Sequence, residues 1–123
     1  RMQKLRYNQL LYFDSAHNRE ALAALTKSIY TNAESKPWRI YLNTMKERSL
    51  EELIETLQKH LAGKSEIWLF PMCNDSRFYT IQDLRENLVA GTASADLLDQ
   101  HVFNHLVCGS MYVYHPLNKM LER

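Results

Sequence analysis

The sequence predicts an α/β domain with a mostly parallel sheet, because short apolar runs alternate with segments of helical periodicity. The clearest pair begins at Ser49, which has capping-box spacing to Glu52 at the start of a helix. The apolar run at 67–70 follows, and such a run suits a central strand covered by helices on both faces. The apolar run at 9–13 and the alternating segment 38–42, which predicts an edge or half-exposed strand, precede it at intervals of about one helix length. Connections of that length predict parallel strands.

The helix that starts at Ser49 is amphipathic over its whole length. Its apolar residues recur at helical spacing and fall on one face: Leu50, Leu53, Ile54, Leu57 and Leu61. Acidic residues in its first turn and basic residues in its last turn complement the helix dipole. Gly63 is predicted to be the left-handed residue that ends it. An earlier helix is predicted from about Asn18.

The composition describes one globular domain and excludes several functional classes. The 123 residues are 46% apolar and 24% charged, with a net charge of +1, so one ordinary core is expected. No run of basic residues predicts nucleic-acid binding, and no apolar stretch approaches the roughly 20 residues of a membrane span. Cys73 and Cys108 lack CxxC spacing, which favours two reduced thiols in a cytoplasmic protein.

The second half of the chain is more ambiguous. Thr80 and Asp83 repeat the capping-box spacing and predict a short third helix. Residues 88–90 are either the tail of that helix or a fourth strand, because periodicity does not separate the two. A fourth helix is predicted over 95–107 and a further strand over 111–114, followed by the start of a closing helix.

A strand at 88–90 would complete five βα repeats. The fold is then a doubly wound, flavodoxin-like (βα)5 three-layer sandwich with a mostly parallel five-stranded sheet. The alternative is a ferredoxin-like α+β fold, in which 88–90 is helical and the fourth strand is 77–81 instead. In the first fold, ligands are expected where the carboxyl ends of the strands meet the loops.

Three segments resemble the receiver domain of two-component response regulators. LLYFDSAHNREALAAL is similar to the family's first strand, acidic pair and first helix, and VAGTASADLL is similar to its fourth strand and switch threonine. GSMYVYHPLNKML resembles the fifth strand and the Lys-Pro turn. The resemblance implies a single receiver-like domain over 1–123, excised from the N-terminal end of a longer regulator.

The resemblance places a vestigial phosphorylation site at the rim of the sheet. Asp14 stands at the first of the family's two acidic positions, but Ser15 occupies the second, and Phe70 takes the place of the phosphoacceptor aspartate. Thr92 matches the switch hydroxyl, and His115 replaces the lysine. Because a phosphoryl acceptor needs a carboxylate beside a cation, the resemblance implies a pseudo-receiver that is not phosphorylated and uses no cofactor.

The function implied by this resemblance is phosphorylation-independent regulation of signal transduction or transcription. The domain would act as a homodimer or by binding a partner protein, and nucleic acid would be reached only through an output domain outside this chain. The predicted interface consists of Val102, Phe103, Val107, Tyr112, Tyr114 and Leu121. Apolar and aromatic residues of this kind are enriched at interfaces.

A second hypothesis assigns the chain to a different class, a small α/β enzyme or a ligand-sensing domain. Its site would lie at the rim formed by the carboxyl ends of the strands, among Asp14, Ser15, Asn43, Thr44 and Asn74. The residues alone leave both hypotheses open.

Three potential metal ligands, His101, His105 and Cys108, fall on one stripe of the helix predicted over 95–107. The i, i+4 spacing of the two histidines occurs in zinc-binding helices. The same residues can equally form the polar edge of an apolar helix, and no fourth ligand is evident. No metal site is therefore predicted.

Overall fold

A computed structural model describes residues 3–6, 11–32, 36–61 and 65–122. The predicted α/β class and the mostly parallel five-stranded sheet are confirmed. The strands are β1 (Gln3–Arg6), β2 (Leu11–Phe13), β3 (Trp38–Leu42), β4 (Ser65–Leu69) and β5 (Asn104–Cys108). Their order in the sheet is β1-β2-β5-β3-β4, with β1 antiparallel to β2 and the remaining neighbours parallel.

Helices cover both faces of this sheet. They are α1 (Arg19–Asn32), α2 (Leu50–Leu61), α3 (Ala95–Leu98) and α4 (Tyr114–Leu121), with single 3-10 turns at Ile81–Asp83 and Met111–Val113. On one face of the sheet, α1 and α2 bury their apolar stripes against every second residue of the central strands, for example Ile40 of β3 and Leu106 of β5. On the other face, α3 and α4 pack against the residues that include Tyr41. None of the described helices has the length and apolar character needed to cross a bilayer.

The predicted helix at 49–61 is confirmed as α2. The amide N–H of Glu52 donates to Ser49 Oγ at 3.2 Å, so the expected cap forms. All five residues of its apolar stripe are buried. The predicted stop at Gly63 and the predicted strand residues Gln9 and Leu10 lie outside the described residues.

Two predictions in the second half are wrong. Residues 104–108, predicted as the end of a helix, form β5, which pairs along its length with β2 on one side and β3 on the other. The helical pattern ends after one turn at Leu98, so α3 is far shorter than expected. Residues 111–114, predicted as a strand, form a 3-10 turn that runs into α4. Pro116 fits the first turn of α4. Backbone N–H groups in a first turn have no carbonyl partner within the helix, so the N–H that proline lacks is not needed there.

The position of β5 changes the strand order. β4, predicted to be the central strand, lies at the end of the sheet order, and β5 takes a central place. The open side of β4 is covered by the segment 90–93, in which the N–H of Ala90 donates to Ile67 O at 2.8 Å. Residues 88–90 are therefore neither helix nor strand, and 77–81 is not a strand either. The flavodoxin-like arrangement of helices around the sheet is not confirmed. The ferredoxin-like alternative required a fourth strand at 77–81, and the structure has none there.

A buried hydrogen-bonded chain joins β3 to β5 on the α4 face. His105 Nε2 lies 3.0 Å from the carbonyl oxygen of Gln100, so this nitrogen carries the proton. His105 Nδ1 is then the acceptor for the hydroxyl of Tyr41, 2.7 Å away. Burial raises the pKa of Tyr41 and outweighs the lowering by nearby Arg39, which keeps the phenol protonated as this arrangement requires.

We expect Tyr41→Phe to destabilise the fold by about 1–3 kcal/mol, because it leaves a buried acceptor on His105 without a donor. Chemical denaturation monitored by circular dichroism would measure the loss. Tyr12→Phe is the matched control, because the Tyr12 ring stacks on Trp38 and its hydroxyl has no hydrogen bond among the described residues. Equal stability of the two variants would contradict the proposed proton arrangement.

Candidate functional site

At one point in the sheet, the connections that follow two neighbouring strands run to opposite faces of the sheet. β2 and β5 are adjacent and parallel, but β2 leads to α1 on one face and β5 leads to α4 on the other. In open α/β sheets such a point creates a crevice outside the carboxyl ends of the strands, where ligands bind. A cavity of about 790 Å³ opens there, which we call the crevice pocket. It is lined by Phe13, Ser15, His17, Thr44, Met45, Glu47, Arg48, Gly109, Ser110, Met111, Tyr112 and Tyr114.

Gly109 holds together the loops that frame the crevice pocket. Its N–H donates to the carbonyl oxygen of Ala16 at 2.8 Å and so joins the loop after β5 to the loop after β2. Its φ of +108° lies in a region that side chains disfavour. A Cβ atom at this position would also overlap the carbonyl oxygen of Asn43. The three loops after β2, β3 and β5 approach this closely because the residue is glycine.

Asn43 precedes the pocket residue Thr44 and fixes the loop that follows β3. It is fully buried, and its Nδ2 donates to the carbonyl oxygens of Phe70 and Tyr79, each at 2.9 Å. Its Oδ1 accepts from the N–H of Thr44 at 2.8 Å and from the N–H of Tyr79 at 3.1 Å. One side chain therefore satisfies four backbone groups and ties the loop after β3 to the loop after β4.

Two polar side chains present unused hydrogen-bonding groups to the pocket. His17 Nδ1 lies 3.0 Å from the carbonyl oxygen of Ser15, so Nδ1 carries a proton and Nε2 is left for a ligand. Ser110 Oγ accepts from the N–H of Tyr112 at 3.1 Å, which leaves its own O–H to donate. Together with Thr44 and the exposed Arg48, these groups can bind the oxygens of a polar ligand.

The five residues of the predicted vestigial phosphorylation site do not converge. Asp14 is buried and its Oδ1 accepts from the N–H of Ala16 at 2.8 Å, whereas Ser15 lines the crevice pocket. Phe70 is buried directly after β4, Thr92 lines a separate pocket beside β4, and His115 lies on α4. The strand order separates these positions, because β5 and β3 lie between β2 and β4.

The rim predicted by the second hypothesis is closer to the observed site. Ser15 and Thr44 line the crevice pocket, and the buried Asn43 holds the loop that carries Thr44. Asn74 does not belong to it, because it lies in the pocket beside β4.

The three potential metal ligands do not form a site. His105 and Cys108 lie on β5 and face opposite sides of the sheet, whereas His101 is exposed in the preceding turn. The described residues contain no cluster of His, Cys, Asp or Glu suited to a metal ion. Burial, with a smaller contribution from Asp14, raises the pKa of the Cys108 thiol, so it stays protonated and is a poor ligand.

The six predicted interface residues do not share one exposed surface, because the helix assigned to 95–107 is largely absent. Val107 is fully buried in β5, and Phe103 is packed under Arg39, whose Cζ lies 3.7 Å from the ring centroid. Val102 and Tyr112 are exposed, and Tyr114 and Leu121 are partly buried against the core. Dimerisation itself stays a prediction.

The sequence analysis missed several residues of the site, among them His17, Arg48, Gly109 and Ser110. Interpreting 104–108 as a strand would have placed Gly109 and Ser110 at its carboxyl end, beside the loop that carries His17. The unbroken apolar stretch Leu106-Val107-Cys108 followed by Gly-Ser was the available signal.

No protein-family model matches the chain, and no curated protein matches it in sequence. Solved structures do match its fold. The chain is similar to Escherichia coli FolC in complex with ADP, with a TM-score of 0.77 and 19% identity over 99% of this chain. It is equally similar to the ligand-free bifunctional folylpolyglutamate synthase/dihydrofolate synthase of Yersinia pestis, with a TM-score of 0.77 and 20% identity over 100% of the chain.

A third match is a bifunctional folylpolyglutamate synthase/dihydrofolate synthase with Mn, AMPPNP and L-glutamate bound, at a TM-score of 0.74 and 19% identity. This chain spans 31% of the length of each of these three structures. The matched structures are synthase chains and not response-regulator receivers, so the receiver resemblance and the regulatory function inferred from it are wrong. At identities of 19–20%, the similarity concerns the fold alone.

Proposed function

We propose that this chain is an α/β part of a nucleotide-dependent synthase of the folylpolyglutamate synthase type, with the crevice pocket as its ligand site. The observation that supports this most strongly is the crevice itself, at the reversal between β2 and β5. The similarity of almost the whole chain to synthase structures solved with ADP or AMPPNP supports the same assignment.

The lining of the pocket favours a heterocyclic anion. The rings of Phe13, Tyr112 and Tyr114 supply flat apolar surface on which a heterocycle can stack. The hydroxyl of Ser110 and the guanidinium of Arg48 can donate to phosphate or carboxylate oxygens. Adenine nucleotides and pteroates both belong to this chemical class, and an experiment can separate them.

The role of these residues is binding and orientation. Hydrogen-bond donors held by a rigid frame fix the position of a reacting group and lower the entropic part of the barrier. His17 can accept a hydrogen bond from a ligand through Nε2, since Nδ1 is occupied by the Ser15 carbonyl.

Titration of the chain with Mg-ADP, and separately with dihydropteroate, should shift the backbone amide NMR signals of Ser15, Gly109 and Ser110. The signals of Ser65 and Asn87 in the pocket near the start of β4 should stay in place. The ligand that produces the shifts identifies the occupant of the crevice pocket.

We expect Ser110→Ala or His17→Ala to weaken that binding about three- to tenfold, which corresponds to one hydrogen bond. His101→Ala is the matched control, because His101 is exposed in the turn before β5, at the opposite end of that strand. No shift with either ligand, or shifts confined to the pocket near the start of β4, would contradict the proposed function.

A further inference from the structure

Two neighbouring residues at the amino-terminal ends of the central strands bury polar atoms that have no hydrogen-bond partner. Asn104 begins β5 and Trp38 begins β3, and the two are register partners in the sheet. Asn104 is fully buried, and Trp38 is 5% exposed. Within the described part of the chain, the buried side-chain atoms without a hydrogen bond are Trp38 Nε1, Asn104 Nδ2 and Asn104 Oδ1. All of them therefore belong to this one pair of residues.

The pair lies on the face of the sheet that α1 and α2 cover, at the strand ends opposite the crevice pocket. Ile40 and Leu106, two residues further along β3 and β5, belong to the core beneath these helices, and residues two apart on a strand share a face. Tyr12 lies on β2, with β5 between it and Trp38. The rings of Tyr12 and Trp38 nevertheless approach to 6.1 Å between centroids, so they close over β5. This aromatic cover helps to shield the Asn104 amide from bulk solvent.

Unsatisfied polar atoms at this depth would destabilise the fold. A buried amide without hydrogen bonds has lost its hydration and gained no bond in exchange, and almost all buried polar side-chain atoms in folded proteins have a partner. The two side chains do not satisfy each other, although a bond from Trp38 Nε1 to Asn104 Oδ1 would serve both. Polar groups that lie side by side without a direct hydrogen bond are commonly joined by a bridging molecule.

The three atoms define the chemistry of that molecule. It must accept from the indole N–H of Trp38 and from the amide N–H of Asn104, and it must donate to the amide oxygen of Asn104. A metal ion cannot accept a hydrogen bond and a halide cannot donate one, whereas water does both and typically makes about three bonds when buried. We propose that a single water molecule is bound between Asn104 and Trp38 as an integral part of the fold and joins β3 to β5. This inference is independent of the proposed function.

NMR cross-relaxation between water and the isotope-labelled chain tests the proposal. The Hε1 proton of Trp38 should show NOE and ROE cross-peaks to water that have opposite signs, because the water stays bound for longer than the protein takes to tumble. Trp68 is the internal control, since its Nε1 already donates to Glu66 Oε1 at 3.1 Å, and we expect no such pair of peaks there. Tyr12→Phe should keep the Trp38 peaks, which excludes magnetisation relayed through the Tyr12 hydroxyl.

Asn104→Leu should abolish the water cross-peaks of Trp38 and leave its Hε1 signal in the spectrum, because the variant removes both amide partners of the water. Asn118→Leu is the matched control, since it makes the same change on α4, at the opposite face of the sheet. Circular dichroism would confirm that both variants fold.

Wild-type peaks of equal sign, which indicate exchange of the N–H with bulk solvent, would overturn the proposal, as would the absence of peaks. Peaks that survive in Asn104→Leu would also overturn it. The wild-type spectra decide whether the water is bound even if Asn104→Leu does not fold.

Discussion

Gly109→Ala should lower the melting temperature by roughly 10–20 °C. Two costs combine. An alanine at φ +108° is strained by about 1–2 kcal/mol, and its Cβ would overlap the carbonyl oxygen of Asn43. Relieving a backbone overlap in a packed region costs about 1–3 kcal/mol more. Differential scanning calorimetry measures the change directly.

Gly91→Ala is the matched control for this experiment. A Cβ at Gly91 would lie 3.1 Å from a ring carbon of Trp68, and that ring belongs to a half-buried side chain that can shift slightly. We therefore expect a loss of stability of about 1 kcal/mol or less. If Gly109→Ala melts no lower than Gly91→Ala, the close approach of the loops after β3 and β5 is not as described.

Asn43→Asp should destabilise the fold by about 3 kcal/mol or more at neutral pH, although the two side chains have the same shape. The substitution replaces the Nδ2 that donates to the Phe70 and Tyr79 carbonyls with an oxygen that repels both. Denaturant titration of the purified variant gives the free energy of unfolding. Asn87→Asp is the control, because Asn87 is exposed and its φ of 65° is one that aspartate also tolerates.

The same variant should show a characteristic pH dependence. Burial beside two carbonyl oxygens raises the pKa of the introduced carboxyl in the folded state, so the folded chain retains a proton that the unfolded chain has already released. Stability relative to wild type then falls as the pH rises and partly recovers at about pH 4, because the protonated acid restores one donor. A deficit that is constant between pH 4 and pH 8 would contradict the donor role of Asn43.

The elements that were predicted correctly are those whose sequence patterns are local, so that a few neighbouring residues determine the structure. The helix at 49–61 has a cap, an apolar stripe and charged ends suited to its dipole, and none of these depends on the rest of the chain. The strand at 38–42 was indicated by its alternation, but the expected edge or half-exposed position is wrong, because β3 lies between β5 and β4 and all five of its residues are buried. Ser15 and Thr44 were placed at the rim because each follows such a strand directly.

The errors arose where distant residues decide the outcome. Leu98, Val102 and Leu106 have helical spacing, and the short apolar run at 104–108 fits a helix or a strand equally well. It becomes a strand because β2 and β3 offer hydrogen-bonding partners on both of its sides, which no local pattern reveals. Because 104–108 was assigned to a helix, Gly109 and Ser110 were not placed at the rim of the sheet, and β5 was missing from the predicted sheet.

The hydrogen bonds beyond the ends of β2 and β5 have a consequence for how fast a ligand binds. The N–H of Asp14 donates to Val107 O at 2.9 Å, and the N–H of Gly109 donates to Ala16 O at 2.8 Å, so these two loops are joined to each other. A ligand that enters between them need not order a mobile loop, and little conformational entropy is lost on binding. Association should therefore proceed in a single step whose rate rises linearly with ligand concentration, without the plateau that a slow loop closure would impose.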